Sequence, residues 1–105
     1  MTRGEVYRLR LPARRGREQA GARYGVVLQA DEFLGLSTVI VAPTSRSAAR
    51  ATFRPQIQLG GEFTSVLVEQ LRSVDVERLG AFAGRLSPAE QRGVDEALAL
   101  VLDLA

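Results

Sequence analysis

Two short stretches of this 105-residue chain carry side chains that could act on a polyanion. The first is Gly16-Arg17-Glu18-Gln19-Ala20-Gly21-Ala22-Arg23, in a basic run that also holds Arg14 and Arg15. The second is Pro43-Thr44-Ser45-Arg46. Arginine is a permanent cation whose planar fork matches the oxygens of a phosphate. A hydroxyl can donate a hydrogen bond to one of the same oxygens. Neither stretch is a phosphate-binding loop or a G-x-S-x-G elbow. The Asp31-Glu32 pair has no second acidic cluster near it in sequence, which argues against a two-metal site. Histidine and cysteine are both absent. That removes the usual general base, the commonest nitrogen ligand for zinc, thiolate ligands and disulfides. No metal and no cofactor is expected.

Charge is distributed unevenly. The net charge of +2 hides a front half, residues 1–59, with ten arginines against four acids, and a back half with four arginines against eight acids. A basic front half suits a polyanionic partner. All 14 basic residues are arginine, which fits a coding bias for the chain as a whole. A 46% apolar composition permits one packed core, and the length fits a single domain over residues 1–105. So small a core makes a dimer plausible. No stretch approaches the ~20 apolar residues that cross a bilayer, and the N-terminus lacks the apolar centre of a signal peptide. A cytoplasmic protein with no membrane partner is expected.

These residues need elements to position them. Residues 5–11 alternate from Val6 onward as a strand does. Residues 12–22 form a basic, glycine-punctuated loop, long for a hairpin. Strands are expected at 24–29, at 38–42 with Pro43 as a stop, at 52–59 as an edge because of Pro55, at 65–71 and at 81–85. One helical turn is expected within 74–79. Ser87-Pro88-Ala89-Glu90 reads as a capping box with proline at the first helical position. Val94, Ala97, Leu98, Val101 and Leu102 then fall on one helical face, with Leu100 and Leu104 beside it as simple exposed leucines or a dimer contact. The order gives a mainly β fold, a small twisted sheet or barrel with a terminal helix.

The chain resembles the MazF/PemK family of toxin endoribonucleases. The residues that carry the resemblance are Arg3-Gly4-Glu5-Val6-Tyr7, then Gly16, Glu18, Gln19, Gly21 and Arg23, then Val26-Val27-Leu28-Gln29, Val41-Ala42-Pro43-Thr44-Ser45, and Leu67-Val68-Glu69-Gln70-Leu71-Arg72-Ser73-Val74. Their order and spacing cover essentially the whole chain. The resemblance implies an SH3-like small barrel, a homodimer, cleavage of single-stranded RNA at short sequences, and inhibition by an antitoxin. It assigns the reaction to Arg23 and to Ser45, with Thr44 the neighbouring hydroxyl. The family usually has proline where this chain has Tyr24, which is less constraining at the start of the strand.

The implied chemistry is self-consistent. The 2′-OH of RNA can attack the adjacent phosphate without water or metal, leaving a 2′,3′-cyclic phosphate and a 5′-OH. Arg23 would stabilise charge on the pentacoordinate phosphorus and Ser45 would donate to a phosphoryl oxygen or the leaving oxygen. Glu18, the only carboxylate of the basic loop, is an accessory candidate to accept the proton, although nearby arginine lowers its pKa. Arg14, Arg15 and Arg17 are either a solvated loop or phosphate contacts. Gln19 and Arg46 flank the reactive positions as further RNA-binding candidates. Gln70 and Arg72 are either polar groups of a sheet face or readers of base edges. An acidic, partly apolar segment, disordered when free, would suit the basic half as the antitoxin's inhibitory part. The alternatives are a non-enzymatic gyrase poison of the CcdB kind, which shares the barrel, and a module that holds RNA without cutting it.

Overall fold

The computed structural model describes residues 1–10 and 23–104. Among these, seven strands are followed by one α-helix: β1 Glu5–Leu9, β2 Arg23–Val27, β3 Thr38–Ser45, β4 Gln56–Leu59, β5 Glu62–Val66, β6 Arg72–Asp75, β7 Leu79–Arg85 and α1 Pro88–Leu102. The strands pair in the order β4-β5-β3-β2-β1-β7, all antiparallel, and β6 lies against β3. The edge of β3 away from β2 is shared. Thr38–Val41 pair with β6, while Thr44 and Ser45 pair with β5. A strand that serves two partners in turn must bend between them, and the sheet curls into a half-barrel. This is the mainly β arrangement with a terminal helix that the sequence implies.

Pro43 does not end β3, as its type suggests it should. Leu28 donates its N–H to the carbonyl of Ile40, which makes Gly25 and Pro43, three residues further along, a non-hydrogen-bonded pair. The nitrogen of Pro43 therefore faces away from β2, at the point where β3 changes partner from β6 to β5. No ladder bond to β2 is lost there, and on the other side the Pro43 carbonyl still accepts from Leu67 at 2.9 Å. Two other elements differ from expectation. The strand expected at 65–71 ends at Val66 and gives way to a 3-10 turn at Val68–Gln70. The segment Arg72–Asp75 is a strand, and helical geometry is confined to Val76–Arg78, where the Asp75 carboxylate caps the turn by accepting from Glu77 N at 2.9 Å.

The terminal helix begins as the sequence requires. Ser87 Oγ accepts from Glu90 N at 3.1 Å and Glu90 Oε1 accepts from Ser87 N at 2.9 Å, completing the capping box. The other Glu90 oxygen accepts from Gln58 N at 2.8 Å, so the cap also ties the helix to β4. Val94 and Ala97 are buried with Val6, Val26, Ile57, Val66 and Val68, and Leu98 is partly buried against them. Val101 and Leu102, expected on the same buried stripe, are exposed, as are Leu100 and Leu104. Only the first turns of α1 lie over the sheet, and its end overhangs. A second cluster, Leu9, Val27, Val39, Val41 and Val74, takes the alternate residues of the same strands.

Candidate active site

A groove of about 700 Å³ opens over the ends of β2 and β3, between β7 and the β4–β5 turn, with Arg8, Arg23, Tyr24, Thr44 and Ser45 among its lining residues. The strand register explains which of them meet. β2 and β3 pair Val27 with Val41, Val26 with Ala42 and Gly25 with Pro43. Two residues further along, the same register sets Arg23 opposite Ser45, in the non-hydrogen-bonded type of pair where side chains approach most closely. Side chains alternate across a strand. Arg23 and Ser45 thus share one face, while Tyr24 and Thr44 share the other.

Ser45 is 4% exposed, and its hydroxyl is held in a defined role. Its Oγ accepts the N–H groups of Ala48 at 3.1 Å and Ser47 at 3.3 Å. A hydroxyl oxygen has two lone pairs and one proton. With both lone pairs engaged by backbone donors, the proton is what Ser45 has left to offer. Its neighbour Ser47 Oγ lies 3.4 Å away, a weak competitor for that proton. Thr44, also buried, is anchored at its backbone opposite Val66.

Arg46 lines the groove but its Nη1 is paired with Glu62 Oε1 at 2.6 Å. Both side chains are mostly exposed, so the pair is weak and a phosphate could displace it. Gln70 ends the 3-10 turn and Arg72 opens β6 opposite Val41, and neither is among the residues lining this groove. Arg14, Arg15, Arg17, Glu18 and Gln19 lie outside the described residues. Sequence reasoning missed Arg8, Glu62 and Thr64, which line the groove. The signal for Arg8 was available: it sits at a polar position between Tyr7 and Leu9 in an alternating strand. Among the described residues no group of three or more His, Cys, Asp or Glu side chains could hold a metal ion, and no helix is long and apolar enough to cross a membrane.

β1 is anchored by a polar cluster beside the core. Glu5, 8% exposed, accepts from Thr2 N at 2.8 Å and Tyr7 Oη at 2.7 Å through Oε1, and from Arg85 Nη2 at 2.6 Å through Oε2. Donation by the Tyr7 hydroxyl and the Thr2 amide holds the Glu5 carboxyl below the usual carboxylate range, against the opposing cost of burial, with Arg85 and the N-terminal ammonium adding to the effect. Burial pushes the Tyr7 hydroxyl up, and its bond to Glu5 pushes it further.

Residues 2–102 match the family model described as PemK-like, MazF-like toxin of type II toxin-antitoxin system. The endoribonuclease MazF9 of Mycobacterium tuberculosis is 35% identical over 116 aligned positions, covering 99% of this chain and 98% of that protein. Two solved structures share the fold. One is an endoribonuclease in complex with its cognate antitoxin from a mycobacterial species, with TM-score 0.83, 20% identity, and 100% and 97% of the two chains covered. The other is MazF of Deinococcus radiodurans, with TM-score 0.83, 22% identity, and 98% and 96% covered.

Proposed function

The chain belongs to the PemK-like, MazF-like toxins of type II toxin–antitoxin systems, and from that premise we propose that its groove holds single-stranded RNA and cuts it with Arg23 and Ser45. The 2′-OH attacks the adjacent phosphorus, the bond to the 5′ oxygen breaks, and a 2′,3′-cyclic phosphate and a 5′-OH result. Arg23 stabilises the charge that develops on the phosphoryl oxygens. Ser45 donates a hydrogen bond to a phosphoryl oxygen or to the departing 5′ oxygen, which takes its proton from water. Glu18 is the accessory carboxylate for the proton leaving the 2′-OH. The observation that carries this reading is the register that sets Arg23 and Ser45 opposite one another in one groove, together with a serine whose acceptor capacity is already used.

The reaction needs no metal, because the nucleophile belongs to the substrate and Arg23 supplies the positive charge at the phosphoryl oxygens. Cleavage of a long RNA by the purified protein will persist in excess EDTA, and the fragments will carry cyclic-phosphate ends. Activity lost to the chelator and restored by magnesium would refute the mechanism.

The protein acts in the cytoplasm as a homodimer, with Leu100 and Leu104, exposed at the end of α1, available to the contact. Its antitoxin carries an acidic, partly apolar segment that folds on binding and occupies the RNA path. Arg14, Arg15 and Arg17 serve both ligands. Replacing all three with Gln will weaken RNA and antitoxin together and flatten the salt dependence of each, by about 0.7 per lost phosphate contact in the logarithmic slope for single strands. RNA binding that survives saturating antitoxin would show that the two do not share a surface.

A further inference from the structure

The arginines of the groove differ in what already occupies them. Arg46 is paired with Glu62. Arg8 is exposed, and its side chain makes no hydrogen bond or ion pair among the described residues. What holds it is an aromatic ring, with the guanidinium carbon 5.9 Å from the centroid of Tyr24. The sheet builds this contact. Arg8 and Tyr24 are direct partners across β1 and β2, so their side chains leave the same face. On the other flank of Arg8, in β7, stands Gly80, where a Cβ would come within 3.4 Å of the Arg8 Cβ and carbonyl oxygen. A glycine there leaves that flank of Arg8 open. Continuing the row, the β2–β3 register sets Thr44 beside Tyr24. Glycine, arginine, tyrosine and threonine thus form one line across four strands, on the face opposite Arg23 and Ser45, and the groove at the strand ends is lined from both faces.

At cation–π range the tyrosine ring steadies the guanidinium from one side and leaves its plane to offer. Splayed bases of single-stranded RNA stack on such planes as they do on aromatic rings. We infer that Arg8, backed by Tyr24, is the stacking platform for the base of a nucleotide flanking the scissile phosphate. The inference rests on RNA being the ligand of the groove. It assigns Arg8 to base positioning through its plane, not only to phosphate attraction through its charge, and it gives Tyr24 a role that a residue without a ring cannot fill.

The two contributions separate in Arg8→Lys, which keeps the charge and loses the plane. Binding is measured on a labelled single-stranded RNA made uncleavable by 2′-O-methylation, at several salt concentrations, for the full chain and its variants. Arg8→Lys weakens binding roughly tenfold, the order expected for one lost stack, with the salt slope unchanged. Arg8→Gln weakens it further and lowers the slope by about 0.7. Tyr24→Leu, which stays apolar against the core, weakens binding several-fold with no change of slope, and Tyr24→Phe binds as the parent does. On cleavable RNA, Arg8→Lys raises KM and leaves kcat within about twofold, as lost uniform binding requires. An Arg8→Lys variant that binds like the parent, or a Tyr24→Leu variant that does, overturns the platform while leaving the ribonuclease reading intact. A parent protein that neither binds nor cuts RNA overturns both.

Discussion

Replacing Arg23 with alanine will slow RNA cleavage by about 100- to 1,000-fold, and replacing Ser45 with alanine will do nearly the same, since each removes a donor to charge that develops in the transition state. The loss will fall on kcat more than on KM, because the interactions strengthen as the phosphorus becomes pentacoordinate. Arg23→Lys will recover little, because an ammonium is a point charge without a planar fork. Thr44→Ala is the discriminating control. Thr44 and Ser45 are adjacent, buried and equally capable of donating, but the register sets Ser45 beside Arg23 and Thr44 beside Tyr24. A phosphate held by Arg23 is on the Ser45 side of the sheet. Ser45→Ala also strips an acceptor from Ser47 N and Ala48 N, at a cost of about 1–3 kcal/mol for donors left unpaired, so thermal unfolding must accompany the kinetics. If Ser45→Ala keeps its rate and Thr44→Ala loses it, the reactive hydroxyl is Thr44.

Legibility in the sequence followed how local the determinants were. The N-terminus of α1 could be read outright because a capping box is a matter of four consecutive residues. The alternation of β1 and the run Val26-Val27-Leu28 were equally plain. Pro43 misled, because whether a proline breaks a strand depends on which side its nitrogen faces, and that is set by a register with β2 that no local pattern contains. Val101 and Leu102 misled for a similar reason. Their helical phase is right, but the sheet beneath them ends before they do. In the groove, Arg23, Thr44, Ser45 and Arg46, which belong to the two stretches the sequence singles out, lie together. Arg8 is marked in the sequence only as a polar position in an alternating strand, and its pairing with Tyr24 across a long connection is a tertiary fact. Glu5 was visible only as a landmark. That it is buried, with three donors converging on it, is a tertiary fact.

Glu5 sets the expected pH dependence of the fold. Its carboxyl is lowered from the ordinary 4.5 in the folded protein, so the unfolded chain binds that proton more tightly. The stability it contributes is therefore fully present above the ordinary carboxylate value and is lost as pH falls through the lowered one. Tyr7 acts in the opposite sense. Its hydroxyl is raised above the ordinary 10.0, so its contribution is fully present below that value and lost as pH rises through the raised one. Glu5→Gln isolates the acid limb. The amide oxygen can still accept from Thr2 and Tyr7, but the charge is gone and an NH₂ group faces the Arg85 guanidinium. Hydrogen bonds to a charged group contribute about 1.5–3 kcal/mol, and a loss near 2 kcal/mol lowers the melting temperature of a domain this size by roughly 10 °C. Arg85→Gln will cost much less, because the Arg85 side chain is 58% exposed and solvent already screens its pairing with Glu5. Urea unfolding from about pH 3 to about pH 8 reads both effects, as the variants' offset at neutral pH and the slope in acid. The parent should lose stability below the carboxylate range faster than Glu5→Gln does, so that the two curves converge in acid. Parallel curves would mean that Glu5 is not the group whose protonation the fold resists.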